Sequence, residues 1–423
     1  MLEINFIREN KDLIVDSLSK RNIDSSSVIE SVIDVDAKKR KIQTELDNIL
    51  HQSNLISKEI GDLFKQGHVN KASVLKEKTV ELKEASKKLN EELNSVKSNL
   101  QQLLYKIPNI PHHSVPKGKS EEDNVEIMRG GELPNLPKGS LPHWDLAKKY
   151  DIIDFELGNK ITGAGFPVYK GKGAKLQRAL ISFFLDMNTQ AGYNEVQVPH
   201  LINEKSAFGT GQLPDKEGMM YYIQEDNLYL IPTAEVPATN IFRDEIIAES
   251  NLPKLLTSYT PCFRREAGSY GSHVRGLNRL HQFDKVEILR VEHPDKSYEA
   301  LDGMVDHVKS IINKLNLPFR ILKLCGSDLG FTSCLTFDFE LFSAGQNKWL
   351  EVSSVSNFET FQANRLKLRY KNSSGKTQLA HTLNGSSLAL PRVLATLIEN
   401  NQTSKGIVIP EVLVPYTGFS IID

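Results

Sequence analysis

Two arginines far apart in the chain carry its chemistry. The first lies in Cys262-Phe263-Arg264-Arg265-Glu266-Ala267-Gly268, ahead of Arg279-Leu280-His281-Gln282-Phe283-Asp284-Lys285-Val286-Glu287. The second, Arg392, closes Asn384-Gly385-Ser386-Ser387-Leu388-Ala389-Leu390-Pro391-Arg392. A guanidinium binds phosphate oxygens through a planar fork, and an aromatic face can sandwich a nucleobase. Strand faces alternate with period two. Arg264 and Glu266 are therefore expected on one face of a first strand, and Arg279, Phe283 and Glu287 on one face of a second. Paired around a loop at 267–276, whose Gly268, Gly271 and Gly276 allow close approach to a ligand, they would offer arginine, carboxylate and ring to a nucleotide. His281 shares the parity of Phe283 and is read mainly as a packing residue beside it. Arg392 follows Pro391 at the start of a helix through Val393, Leu394, Leu397 and Ile398. Proline suits a first helical turn, where free amides already favour anions.

Two shorter strings add oxygen donors. Thr233-Ala234-Glu235 follows the apolar run Leu228-Tyr229-Leu230-Ile231-Pro232. On a strand end, Thr233 and Glu235 share a face and suit an α-ammonium group with a small polar side chain. Glu351-Val352-Ser353-Ser354 closes another strand, and its carboxylate and hydroxyl suit Mg²⁺ held partly by substrate phosphates. Ser354 has the wrong parity to share a face with Glu351, so a bulge or strand end is required there. Alone, each string reads as an ordinary surface acid, cap or ion pair; the complete 263–287 string does not.

The elements that must position these residues fall into two regions. Residues 29–104 lack proline and are rich in Lys, Glu, Leu and Ser. Ile42, Leu46, Ile49, Ile56, Ile60 and Leu63 form one stripe; Leu82, Ala85, Leu89, Leu93, Val96, Leu100 and Leu103 form a second after a break near Gly67. The spacing predicts two long helices in an antiparallel coiled coil projecting into solvent. Prolines 108, 111 and 116 end it. From about residue 145, an amphipathic helix at 174–190 with Gly192 beyond its end precedes strand-like runs at 195–199, 228–233, 258–266, 279–291, 335–341 and 348–354. The predicted fold class is α+β, a helical arm plus a domain built on an antiparallel sheet flanked by helices. The expected division is 1–107 for the N-terminal domain with its arm, 108–144 for a linker and 145–423 for the catalytic domain.

Composition narrows the setting. Across 423 residues the net charge is −1, so nucleic-acid contacts must be local. Cys262, Cys325 and Cys334 lack a Cys-x-x-Cys spacing, which fits a reducing cytoplasm and gives no support for zinc. No apolar run is long enough for a membrane span, and the N-terminus has no signal-peptide pattern.

These strings resemble bacterial seryl-tRNA synthetases over nearly the whole chain. The resemblance rests on Met1–Arg21, the arm, Ser120–Asn124, Gly209-Thr210-Gly211-Gln212-Leu213-Pro214, and the three class II motifs in order. It implies ATP-dependent activation of L-serine to seryl-adenylate and transfer to the 3′-terminal adenosine of serine tRNA, with the selenocysteine tRNA open as a further substrate. It also implies a homodimer through the Gly192–Pro199 motif and an arm that grips tRNA. Carried over, Arg264 and Arg392 are the catalytic arginines. Arg264, Arg265, Glu266, Phe283, Glu351, Val352, Ser353, Ser354 and Arg392 bind ATP, with Glu351 and Ser354 on Mg²⁺. Thr233, Ala234, Glu235, Glu287 and Ser386 surround serine. Leu335, the stretch Phe342–Gly345 and Val355 depart from the commoner pattern without touching these assignments. A carrier-protein ligase would not need the arm, and a non-catalytic interaction protein would not need Arg264, Glu266, Glu351 and Arg392 together.

Overall fold

In the computed structural model, residues 1–136, 138–215, 217–266 and 275–423 are described. The chain forms two compact units, Met1–Ser19 with Ile23–Pro108, and Lys20–Asn22 with Asn109–Asp423.

The first unit is dominated by α1 (Ser26–Lys65) and α2 (Val69–Leu104). Forty residues at about 1.5 Å each make α1 roughly 60 Å long. Its seam follows the expected stripes: Ile42 and Leu46 pack with Leu93 and Val96, flanked by Val35 and Leu89. Nearer the turn the seam loosens, and Ile56, Ile60, Leu63, Leu82 and Ala85 are only half-buried. Such narrow stripes leave the other faces to charged residues. Lys38 pairs with Glu92 at 2.9 Å and Lys39 with the buried Asp36 at 3.2 Å.

The second unit is built on a sheet that, among the described residues, has eight strands: β1 (Val125–Gly130), β2 (Asn194–Glu195), β3 (Lys254–Phe263), β4 (Gln282–Glu292), β5 (Phe319–Lys323), β6 (Leu335–Ser343), β7 (Lys348–Asn357) and β8 (His381–Ala389). Their spatial order is β1-β5-β6-β7-β8-β4-β3-β2. Only β2 pairs in parallel, with β3. The helices that support this sheet or border the site include α3 (His143–Lys149), α4 (Gly171–Gln190), α5 (Glu235–Asn240) and α6 (Ser297–Lys314). Two more are α7 (Thr360–Leu366) and α8 (Leu390–Asn400). No helix among the described residues is long and apolar enough to cross a membrane.

Strand alternation separates two faces of this sheet. Val286 and Ile288 of β4, Phe337, Phe339 and Leu341 of β6, Val355 of β7 and Leu383 of β8 enter the main core with residues of α4, α6 and α8. At about 25 cal/mol per Å², burial on this scale is the main stabilising term. Residues of opposite parity on these strands are mostly polar and form the floor of the site. The departures at Leu335 and Val355 both sit in the apolar core, away from that floor.

Several boundaries differ from the sequence reading. The 108–144 stretch, read as a connection, contributes edge strand β1, whose residues are nearly all exposed and so carry no alternating signal. Strand β8 was not anticipated, because both its faces are buried and its residues are largely polar. The 195–199 run contributes only the end of two-residue β2. Strand β3 stops at Phe263 and β4 starts at Gln282, so Arg264, Glu266 and Arg279 lie beyond regular strand.

Candidate active site

A β-bulge aligns the oxygen donors. In the β6–β7 ladder, Phe339 faces Ser353 while Glu340 faces Glu351, which leaves Val352 as the extra residue. The irregularity required by the parity of Ser354 is therefore present. Glu351 and Ser354 both take the face carrying Asp338 and Glu340. Val352 itself turns into the core, at 1 % exposure, and Ser353 Oγ donates to the Ser386 carbonyl at 2.5 Å.

Beside them, β4 presents Phe283, Lys285 and Glu287 on one face. Glu287 lies opposite Ser386 in the β4–β8 ladder. Its Oε2 pairs with Lys285 Nζ at 2.8 Å and accepts from Thr233 Oγ1 at 3.2 Å. Thr233 follows the short strand Leu228–Leu230, and Glu235 opens α5 rather than continuing a strand. The shared-face expectation for this pair is thus corrected: Thr233 Oγ1 accepts from the Glu235 amide at 3.3 Å, and the turn, not strand parity, brings them together. Gln362 Nε2 of α7 donates to Glu235 Oε1 at 2.6 Å. Burial, reinforced by the nearby Glu287 carboxylate, raises the Glu235 carboxyl to about 7. Thr233, Glu235, Lys285, Glu287, Asn384 and Ser386 line a cavity of about 850 Å³. Ala234 is fully buried and does not line it.

A second cavity, of about 300 Å³, adjoins the first and holds the arginines. Arg264 continues the β3–β4 pairing by donating its amide to the His281 carbonyl at 2.9 Å. Its guanidinium lies 5.2 Å from the centroid of Phe283. Glu266 takes a left-handed backbone, φ +48°, and its carboxylate pairs with Arg279. The expected strand-face partnership of Arg264 with Glu266 is replaced by this turn, but both still line the cavity. Arg392 Nε donates to the Asn278 carbonyl at 2.9 Å and Nη1 to the Glu351 carbonyl at 2.8 Å. Arg265 is exposed and does not line it, its amide donating to the Met219 carbonyl at 2.9 Å. His281 stacks on Phe166 at 5.4 Å and meets Tyr221 OH at 3.0 Å, beside the site. Gly268 and Gly271 lie outside the described residues.

Lys285, Asp338 and Asn384 are among the lining residues that received no role from sequence reasoning. Lys285 shares the parity of Phe283 and Glu287, so alternation alone signals it. Asp338 alternates with phenylalanines in Thr336-Phe337-Asp338-Phe339-Glu340; burial and Glu351 push its carboxyl upward. Asn384 sits on the unanticipated β8, opposite Ser356 of β7.

Residues 221–401 match the tRNA synthetase class II core domain (G, H, P, S and T), and residues 1–111 match the seryl-tRNA synthetase N-terminal domain. A largely antiparallel sheet with one polar face, flanked by Arg264 just past the end of β3 and Arg392 on α8, defines a class II aminoacyl-tRNA synthetase core. The serine–tRNA ligase of Salinibacter ruber is 47% identical over 422 residues, covering 99% of each chain. That of Thermotoga neapolitana is 44% identical over 425 residues, the full length of both. The crystal structure of seryl-tRNA synthetase from Pyrococcus horikoshii complexed with ATP superposes with a TM-score of 0.91 at 32% identity, covering 100% of this chain and 99% of that one. The chain belongs to the seryl-tRNA synthetase family.

Proposed function

We propose that the two adjoining cavities hold the two halves of an adenylate-forming reaction, serine in the larger and ATP in the smaller. The chain is a serine–tRNA ligase, an ATP-dependent enzyme. The observation carrying the residue assignment is that Arg264, Lys285, Glu351, Ser354 and Ser386 line both cavities. They stand where a carboxylate from one side meets an α-phosphate from the other.

Serine binds with its ammonium against Glu235 and Thr233 and its hydroxyl between Glu287 and Ser386. ATP stacks its adenine on Phe283, places its α-phosphate at Arg264 and its γ-phosphate end at Arg392, and meets Glu266 at the adenosine end. The serine carboxylate attacks the α-phosphorus and pyrophosphate leaves. The tRNA 3′-hydroxyl then attacks the activated carbonyl and releases AMP. The side chains position reactants and offset charge developing on phosphate oxygens; no protein nucleophile is required. Glu351 and Ser354 offer only oxygen donors on one face, a set that fits Mg²⁺ bound mainly through phosphates. Bound there, the ion supplies positive charge to those phosphates.

The arm is assigned to serine tRNA, and the selenocysteine tRNA is a further substrate to test. The Gly192–Pro199 segment is assigned to a homodimer contact, and the setting is the cytoplasm. Serine-dependent ATP–pyrophosphate exchange, with threonine, alanine and cysteine alongside, tests the central reading. Exchange selective for serine supports it; no exchange by a folded protein supplied with Mg²⁺ ends it.

The raised Glu235 carboxyl gives a pH signature. The charged form pairs with the ammonium, so below about pH 7 binding must first remove a proton. The KM for serine is expected to be flat above about pH 8 and to rise by up to about tenfold per unit below about pH 6.5. Glu235→Gln should raise KM at every pH and flatten the profile. A wild-type KM unchanged down to about pH 5.5 would remove Glu235 from ammonium recognition.

A further inference from the structure

Behind the lining of the smaller cavity lies a buried network whose His143, Glu399 and Gln346 do not themselves line it. His143, at the start of α3, and Glu399, near the end of α8, are both fully buried. Glu399 Oε1 accepts from the His143 amide at 2.8 Å and lies 2.7 Å from its Nδ1. On the other side of the ring, the Leu277 amide donates to His143 Nε2 at 2.8 Å. A backbone N–H can only donate, so Nε2 is the acceptor and Nδ1 carries the proton toward the Glu399 carboxylate. Gln346 Nε2 donates to the same Glu399 oxygen at 3.1 Å, while its Oε1 accepts from Asn278 Nδ2 at 2.9 Å. The carbonyl of Asn278 in turn receives Arg392 Nε.

We propose that His143 is a positioning residue for ATP, fixing Leu277 and Asn278 and, through the Asn278 carbonyl, the guanidinium of Arg392. Two close contacts support a built arrangement. A Cβ on Gly276, at φ +67°, would stand 2.2 Å from His143 Nε2, so the backbone is pressed against the ring. The unusual Phe342–Gly345 stretch serves the same network: Ser343 Oγ donates to Glu399, and a Cβ on Gly345 would meet the Glu399 carboxyl carbon at 3.0 Å. The inference rests on the assignment of Arg392 to the γ-phosphate end.

Two substitutions divide the network. His143→Asn keeps an amide donor for Glu399 but places nothing at the Nε2 position. His143→Gln extends an amide oxygen to that position and so restores an acceptor for Leu277. In exchange assays His143→Asn is expected to raise the KM for ATP about tenfold, the loss attached to one unpaired buried amide, with the KM for serine unchanged. His143→Gln is expected to recover most of that loss. Equal ATP parameters in both variants, or a lowered Tm with unchanged ATP affinity, would overturn the proposal and leave His143 a purely structural role. Calorimetric ATP binding reads the same contrast independently of turnover. Absence of exchange in the wild type would count against the functional assignment instead.

Discussion

Arg264→Ala is expected to lower serine-dependent pyrophosphate exchange by about a thousandfold, mostly in kcat. Arg264 is aimed by three contacts: its amide on His281, its Nε on the Pro232 carbonyl at 3.4 Å, and its guanidinium over Phe283. It lines both cavities, and under the proposed assignment it would meet the α-phosphate where charge accumulates during attack. Removing one preorganised donor to developing charge costs about 10²–10³ in kcat, and a cationic fork stands at the upper end. Arg264→Lys keeps the charge but loses the planar two-point geometry, so it should recover only part of the rate. Because the side chain is only partly buried, neither change should alter the Tm by more than a few degrees. An alanine variant within about tenfold of wild type would show that the α-phosphate is stabilised elsewhere, with Lys285 the residue to examine next.

The site was legible in sequence where regular alternation applied. Phe283 and Glu287 share a face as parity requires, and the parity conflict at Ser354 pointed to the bulge that Val352 supplies. Parity misled where strand gave way to turn. Glu235 opens a helix and Glu266 adopts a left-handed backbone, so both reach their cavities by local geometry that period-two counting does not contain. The arm was legible because its stripes repeat over many turns, and long periodic patterns average out single interruptions. Strand β8 was not, since His381–Ala389 is buried on both sides yet rich in hydroxyl and amide groups. Part of its polarity faces the larger cavity, through Asn384 and Ser386, and the rest is met inside the fold, His381 by Ser297, Thr382 by Gln362 and Ser387 by Asn188. Buried positioning groups such as His143 and Glu399 leave no periodic mark at all; only folding brings helix positions 256 residues apart into hydrogen-bonding distance.

Glu287→Gln is expected to collapse discrimination between serine and alanine. A site built to hydrogen-bond a substrate hydroxyl rejects the analogue lacking it by about 10⁴–10⁵, because its own buried groups are then left unpaired. Glu287 is 4 % exposed, bound to Lys285 and Thr233, and opposite Ser386; its remaining acceptor capacity is available to the serine hydroxyl. Hydrogen bonds to a charged group are roughly twice as strong as neutral ones. The amide should therefore lower kcat/KM for serine by about 10²–10³ while changing the value for alanine far less. The same substitution leaves the nearly buried Lys285 ammonium without its counter-charge, which costs a few kcal/mol on the scale of broken buried pairs. Selectivity must therefore be measured as a ratio at a temperature where the Tm shows the variant folded. Ser386→Ala, which leaves the ion pair intact, should shift the ratio in the same direction by about tenfold. A serine-to-alanine ratio unchanged in both variants would place hydroxyl recognition outside the β4–β8 pair and reassign Glu287 to holding Lys285 at the junction of the two cavities.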